Sequence, residues 1–316
     1  MVSLEGKVEW VDPTRVFGKI LIELAKKDNR VVFVGADSCK ITDNFRDLFP
    51  DRFFELGVAE QNACGFSAGL AFAGKKPFFS AIANFSTLRC FEQIRNDIVR
   101  PNLSAVIAGR GAGLSYGSGG ATHNTIEEIG VLRVLPGITI VDPADLSDFK
   151  NTMFEAIKLS GPIYFRMHKQ LIKKINPDDY IFKFGKGVII REGKDLTFIS
   201  CGTMVYQSKV ASDILKKYGI NTGIVNMHTI KPLDNNLIKS VANNTKLIIT
   251  VEEHSIINGL GSAVAEVLAE NCKTKHIRLG LNDAFPAHGP YMELLDYHNL
   301  TGAKIAEKVI NFLKVK

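Results

Sequence analysis

The sequence predicts an α/β protein built as two three-layer α/β/α domains. Two observations lead there. Short runs rich in β-branched residues alternate with longer helical segments, and several of the short runs are apolar without interruption, as strands buried on both faces of a parallel sheet are. The alternation then breaks once, at a polar stretch from about residue 169 to 187, and restarts beyond it. We therefore place a first domain at 1–168, a linker at 169–186 and a second domain at 187–316.

The elements follow in order. Val31-Val32-Phe33-Val34-Gly35 reads as a buried strand that ends in a loop at Ala36-Asp37-Ser38. A helix rich in small residues runs from about Glu60 to Phe72, and a strand from Pro77 to Ala83. Leu88–Val99 reads as one helix, stopped by Arg100-Pro101. A strand over Ser104–Ala108 enters a glycine-rich loop, Gly109–Gly120. Helix near Thr125–Leu135, strand Ile138–Val141, helix Ala144–Leu159 and strand Ile163–Arg166 complete the first half. The linker carries Lys173-Lys174, Asn176-Pro177 and Asp178-Asp179. Strands then recur at Leu196–Ser200, Thr222–Asn226, Lys246–Val251 and Thr274–Arg278. Helices lie between them near Met204–Tyr218, Asn235–Ala242 and Gly259–Glu270, and a last one spans about Gly302–Lys314.

Composition narrows the function classes. With 46% hydrophobic and 23% charged residues, the 316-residue chain has ordinary globular usage, not that of a disordered or fibrous protein. Lys+Arg 39 against Asp+Glu 33 gives +6, spread along the chain. That is a lean towards anionic small molecules, not a nucleic-acid stripe. Five scattered cysteines (Cys39, Cys64, Cys90, Cys201, Cys272) form no CxxC pair and suit reduced thiols in the cytoplasm. The N-terminus lacks a signal-peptide layout, and no apolar run approaches the ~20 residues that cross a bilayer.

Two stretches carry chemistry. In Phe54–Ala63 an acid, Glu60, opens a helix otherwise made of Ala, Gly, Cys, Phe and Leu. A first-turn acid favours the helix dipole. A helix apolar on nearly all faces is buried, however, and a buried carboxylate needs a reason. Burial raises the pKa of such a group and suits one that shares a proton with a ring nitrogen. The second stretch, Gly113–Asn124, is a glycine-rich loop ending at His123. Glycine lets backbone approach a ligand closely, and this loop follows the carboxyl end of a strand, where α/β sheets place ligands. It matches neither a dinucleotide nor a P-loop fingerprint.

The runs ELGVAEQNACGFSAGLAFAGKKPFF, FEQIRNDIVR, GGATHNTIEEIGVLRVLPGITIVDPAD and TVEEHSIINGLGSAVAEVLAE resemble the C-terminal half of transketolases, pyrimidine-binding domain followed by C-terminal domain. The chain is similar above all to the separate C-terminal subunit of split transketolases. That resemblance implies a thiamine diphosphate enzyme moving a two-carbon ketol unit from a ketose donor to an aldehyde or ketone acceptor. Glu60, in GVAE, matches the family acid that bonds N1′ of the aminopyrimidine, favouring the imino tautomer whose 4′-nitrogen takes the proton from thiazolium C2. The coenzyme then serves as an electron sink. Phe85 matches the ring that stacks on the aminopyrimidine, with Phe79 as fallback. Asp37 matches a position near the cofactor, and His123 the histidine facing the donor sugar. Arg15 and Arg166 match arginines that hold a substrate phosphate, a role a guanidinium fork suits. Arg89 has an uncertain register beside the cofactor.

The departures carry equal weight. Family members read DG(A/P)(S/T)H where this chain reads Gly119-Gly120-Ala121-Thr122-His123, so Gly119 replaces an acid that contacts sugar hydroxyls. Arg110-Gly111-Ala112 stand where a phosphate-binding histidine often lies, and Ser38–Thr42 does not match the family's phosphate-contacting serine. We expect an unusual acceptor, such as a nucleotide-linked keto sugar. The family's GDG metal motif does not occur in the sequence, so the resemblance implies no metal site here. It implies an N-terminal partner subunit holding diphosphate and Mg²⁺, in an α2β2 heterotetramer. His228, His254 and His288 are expected to be structural. The alternatives are a subunit like 1-deoxyxylulose-5-phosphate synthase, one like the 2-oxo acid dehydrogenase β chain, or a non-catalytic scaffold. Neither nucleic acid nor membrane is expected as a partner.

Overall fold

The computed structural model describes residues 9–38 and 43–314. Cys39, and with it most of the Ser38–Thr42 stretch, lies outside the described residues. The architecture is α/β, with two mainly parallel sheets and helices packed on them.

The first sheet has seven strands, in the order Thr229–Lys231, Thr139–Val141, Ile163–Met167, Val106–Arg110, Lys76–Ile82, Val31–Gly35, Phe53–Glu55. All neighbours are parallel except the first pair. Continuous apolar runs such as Val31–Gly35 are buried at every residue, which both-face helix cover requires. The edge strand Thr229–Lys231 comes from beyond the linker, so the second half of the chain completes the first sheet. The second sheet has five strands, in the order Lys275–Leu281, Leu247–Ser255, Leu196–Ser200, Thr222–Asn226, Val188–Arg191, the last one antiparallel.

Several elements differ from the reading of the sequence. A helix not foreseen there, Pro13–Lys27, is capped by Asp12, whose carboxylate accepts from the Thr14 amide at 2.9 Å. A short helix not foreseen there, Ala83–Thr87, follows strand Lys76–Ile82, and the single helix expected over Leu88–Val99 is divided into Phe91–Gln93 and a wider turn at Ile94–Val99. The break coincides with a local substitution of partners: the Phe85 carbonyl accepts from the Cys90 thiol at 3.1 Å. The linker is an ordered strap. Leu171–Ile172 pairs antiparallel with Trp10–Val11, the Ile175 and Asn176 amides donate to Asp145 at 2.8 Å each, and Phe182 stacks on His228 at 4.6 Å.

Where the two sheets meet, the seam is a buried polar network. Arg166, fully buried, donates to Glu128 at 2.5 Å, to Asp142 at 2.9 Å and to the Glu253 carbonyl at 2.9 Å. His168 bonds the other Asp142 oxygen at 2.9 Å. Burial alone raises the Asp142 pKa, but Arg166 and His168 outweigh it and hold the group at about 2. Glu252 accepts from the Leu260 and Gly261 amides at 2.6 and 2.8 Å, closing the start of helix Leu260–Asn271. Its complete burial pushes its pKa up to about 7, although those two amides pull the other way.

A pH dependence follows. Glu252 is easier to protonate folded than unfolded, so its contribution to stability is full below about 4.5 and is lost as pH rises towards 7, by something on the order of 3 kcal/mol. His254, 3.8 Å away, and Arg166 and Arg278 face it. Urea unfolding at pH 5 and pH 8 is expected to show E252Q flatter than wild type by that amount, whereas equal pH slopes would refute the assignment.

Candidate active site

The carboxyl edge of the first sheet gathers most of the expected site residues. Glu60 opens helix Glu60–Phe72 and is 3% exposed. Its Oε2 accepts from the Arg89 guanidinium at 2.7 Å. The same guanidinium lies over the Phe85 ring, 4.1 Å from its centroid. Phe85 meets the His123 imidazole edge-on at 5.2 Å, and His123 meets Tyr116 at 5.2 Å. The Lys169 ammonium sits 3.4 Å from the centre of the Tyr116 ring. Glu60, Arg89, Phe85, His123, Tyr116 and Lys169 thus form one arc. It joins the helix start, the segment after strand Lys76–Ile82, the glycine loop and the first residue of the strap.

Local sequence explains the arc. Strand Lys76–Ile82 turns directly into the short helix Ala83–Thr87, which presents Phe85 at the sheet edge. The Asn84 amide donates to the Thr122 carbonyl at 2.7 Å and ties that helix to the loop. Thr122 bonds the His123 Nδ1 at 2.9 Å. Gly119 is required by this packing, because a Cβ there would stand 2.6 Å from the His123 Cβ. The space a side chain at position 119 would take is therefore filled by the His123 side chain.

A second group lies beside the arc. Arg110 ends strand Val106–Arg110 and donates to the Ser38 hydroxyl at 2.7 Å and the Asp37 carbonyl at 3.2 Å. Burial lowers its pKa, and its Nε has no hydrogen-bond partner. Burial, and then the Arg110 charge, lower the pKa of Lys169. Asp37 is exposed, at φ +54°, and it is its carbonyl that takes Arg110.

Two expectations, those for Arg166 and Phe79, are corrected by these positions. Arg166 was expected to hold a substrate phosphate, but its guanidinium is completely buried and already committed to Glu128 and Asp142. Phe79, the fallback stacking ring, is fully buried within the sheet core and presents no face to a ligand. Arg15 is 86% exposed at the start of helix Pro13–Lys27, 3.7 Å from Asp12, and among the described residues no hydrogen bond or ion pair joins it to the arc. Of the histidines expected to be structural, His228 and His254 are buried, whereas His288 is exposed and lies against Gly120 of the loop. Tyr116, Lys169 and Arg110 were missed as site residues. Lys169 was hidden by its polar neighbours, and Arg110 by the search for a histidine at its position.

The glycine loop also differs in purpose from the reading of its sequence. Cβ atoms at Gly113 and Gly117 would stand 2.2 Å from Glu253 and 2.3 Å from the Gly289 carbonyl. Those glycines admit groups of the second domain.

The residues around Glu60 fit an aminopyrimidine. A flat, N–H-bearing group, the Arg89 guanidinium, is hydrogen-bonded to Glu60 and stacked on Phe85 at once, which shows that the slot accepts such a shape. Among the described residues no group of three or more His, Cys, Asp or Glu stands in a metal-holding arrangement, and no helix is long and apolar enough to cross a membrane.

Comparison with known proteins agrees with this arrangement. Residues 10–174 match the transketolase pyrimidine-binding domain and residues 185–305 the transketolase C-terminal domain. A protein of Methanocaldococcus jannaschii described as a transketolase C-terminal section is 40% identical over 99% of each chain. One of the subunits of an apulose-4-phosphate transketolase from Phocaeicola vulgatus is 36% identical, covering 94% of this chain and 96% of its own. A 1-deoxy-D-xylulose-5-phosphate synthase of Caldanaerobacter subterraneus subsp. tengcongensis is 36% identical over 98% of this chain, but only 50% of its own length is covered. A solved structure described as a split gene transketolase, inactive β4 tetramer, superposes with a TM-score of 0.88 at 36% identity, covering 97% of this chain and 99% of that one. Matched in both domains and in their order, and end to end by proteins of its own length, the chain belongs to the transketolase family.

Proposed function

We propose that this chain is the pyrimidine-side subunit of a two-subunit, thiamine diphosphate-dependent transketolase. The observation that carries the reading is Glu60, a buried carboxylate whose neighbour already stacks a flat cation on Phe85. Bound there, thiamine diphosphate would supply the carbanion chemistry that ketol transfer needs. Glu60 would hold a proton at the ring nitrogen, Phe85 would fix the ring plane, and Arg89 would move aside. His123, at the far side of Phe85, would hydrogen-bond hydroxyl groups of the sugar and steer their protons. Asp37 would line the cofactor edge of the site. Diphosphate and Mg²⁺ would be held by the partner subunit.

Arg110 and Lys169 lead us to an acceptor or donor with an anionic end. Among the described residues neither has a salt-bridge partner, and the Arg110 Nε is buried without an acceptor. The named substrate of the Phocaeicola relative, a sugar phosphate, agrees with this chemistry. Gly119 stands in place of the acid that the family resemblance implies and offers the sugar hydroxyls no carboxylate, which supports an acceptor of unusual hydroxyl pattern. R110A is expected to raise KM for a phosphate-ended substrate by about 10- to 100-fold with kcat little changed, since a charge-assisted bond contributes roughly 1.5–3 kcal/mol. An unchanged KM would exclude Arg110 from the anion site.

The outer face of helix Glu60–Phe72 supports assembly. Gly65 and Gly69 have open space above them, and Phe66 and Phe72 are exposed, Phe72 by 82%. We place a second copy of the chain there, with the partner subunit closing the cofactor site, and the whole in the cytoplasm. Co-purification with a candidate partner, followed by thiamine diphosphate titration with and without Mg²⁺, tests the reading. It is supported by binding that needs both partner and metal, and refuted if this chain alone binds the whole coenzyme as tightly.

A further inference from the structure

The loop that carries His123 is closed at its neck by an antiparallel bridge. The Gly113 amide donates to the Thr125 carbonyl at 2.9 Å, and the Thr125 amide to the Gly113 carbonyl at 3.0 Å. The second domain grips the loop at that neck and again along its far side. Glu253, on strand Leu247–Ser255 and 1% exposed, accepts from the Leu114 amide at 2.6 Å on one oxygen. Its other oxygen accepts from the Thr203 and Tyr291 hydroxyls at 2.6 Å each. Further along, the Gly289 amide donates to the Gly117 carbonyl at 3.1 Å, and the Asn124 side chain to the Ala287 carbonyl at 3.4 Å. Between these grips stand Tyr116 and His123, the two rings that continue the arc from Phe85.

We propose that Glu253 is a positioning residue for His123, so that the second domain sets turnover through the loop; this rests on the reading of the site given above. Glu253 reaches no part of the arc itself. It acts by fixing Leu114 against two hydroxyls of its own domain. Without it the neck amide loses its acceptor, and the loop shifts at its Leu114 end while the ties at Gly117, Thr122 and Asn124 remain. A displacement of about 1 Å of a group that steers protons is enough to lower a rate by up to about 100-fold. The Glu60–Phe85 side of the arc is carried by helix Glu60–Phe72 and strand Lys76–Ile82, meets the loop through the Asn84–Thr122 bond away from its neck, and stays in place. The expected signature is therefore a fall in kcat without a fall in coenzyme affinity.

The test uses E253A and E253Q, the latter keeping one acceptor oxygen for the Leu114 amide. Steady-state kinetics and coenzyme binding are measured with the partner subunit present, and amide hydrogen exchange on the isolated chain. E253A is expected to lose about 10- to 100-fold in kcat, with KM for the donor and coenzyme Kd within about threefold. Exchange should quicken over residues 113–125 and stay unchanged over 60–72, and E253Q should recover most of the rate. Wild-type kcat in E253A overturns the proposal. So does exchange that quickens throughout both domains, or a rate in E253Q as low as in E253A. H123A is run beside them. Full turnover in H123A means the reading of the site has failed; the clamp then stands or falls by whether exchange in 113–125 quickens in E253A.

Discussion

Replacing Glu60 by Gln is expected to lower turnover of the reconstituted enzyme by about 10³-fold, within the roughly 10²–10⁴ that a positioned proton-handling group contributes. The change is close to isosteric. Gln keeps an oxygen that can accept from Arg89, now at 2.7 Å from the carboxylate, and keeps the packing of a side chain that is 3% exposed. What it loses is the ability to hold and return a proton at a ring nitrogen. The fold is expected to survive, with a melting temperature within a few degrees of wild type, because the helix below Glu60 is anchored by Ala63, Cys64, Ser67 and Ala68 in the core. Rate, melting temperature and coenzyme affinity measured together separate the possibilities. A dead, folded variant is the expected result. Full activity in E60Q would remove the proton-sharing role, and a scaffold without catalysis would then be the better description of the chain.

The legibility of this molecule from its sequence depended on how local each determinant is. Helix Glu60–Phe72 was read to the residue, since a lone acid at the start of an apolar segment is a local signal. So was Val31–Gly35, whose unbroken apolar run states its burial on both faces. Phe85 was distinguishable from Phe79 only in three dimensions. One stands in mid-strand within the core, and the other just past the strand end beside His123. Arg166 was misread for a related reason. A strand-end arginine does not disclose that residues 87 positions later arrive to close over it, with Glu128 and Asp142 already waiting. The same long-range cause explains Thr229–Lys231, an edge strand delivered across the linker, and the glycines at 113 and 117. At the two glycines the competing reading, a ligand, is satisfied instead by the chain's own second half.

Arg166 gives the second large effect. R166M is expected to destabilise the isolated chain by about 3–5 kcal/mol at pH 7, because two buried carboxylates lose their counter-charge together. Glu128 and Asp142 are fully buried, and among the described residues Asp142 would keep His168 as its one ion-pair partner. The deficit should depend on pH in a definite direction. In wild type Asp142 sits at about 2, so its contribution is present above the unfolded value near 3.8 and is lost only as pH falls through 2. Without Arg166 burial acts with one fewer opposing charge, so the carboxyl takes up a proton at higher pH. The gap between variant and wild type should then be widest near neutrality and shrink towards pH 4, where protonation relieves the stranded charge. Adding E128Q and D142N to R166M should restore much of the loss at pH 7, as neutralising a whole buried cluster commonly does. Urea unfolding of the single and triple variants at pH 4 and pH 7 checks both statements. If R166M unfolds within 1 kcal/mol of wild type at pH 7 and instead raises KM for a phosphate-ended substrate, Arg166 belongs to the substrate site after all, and the seam between the domains is held by something else.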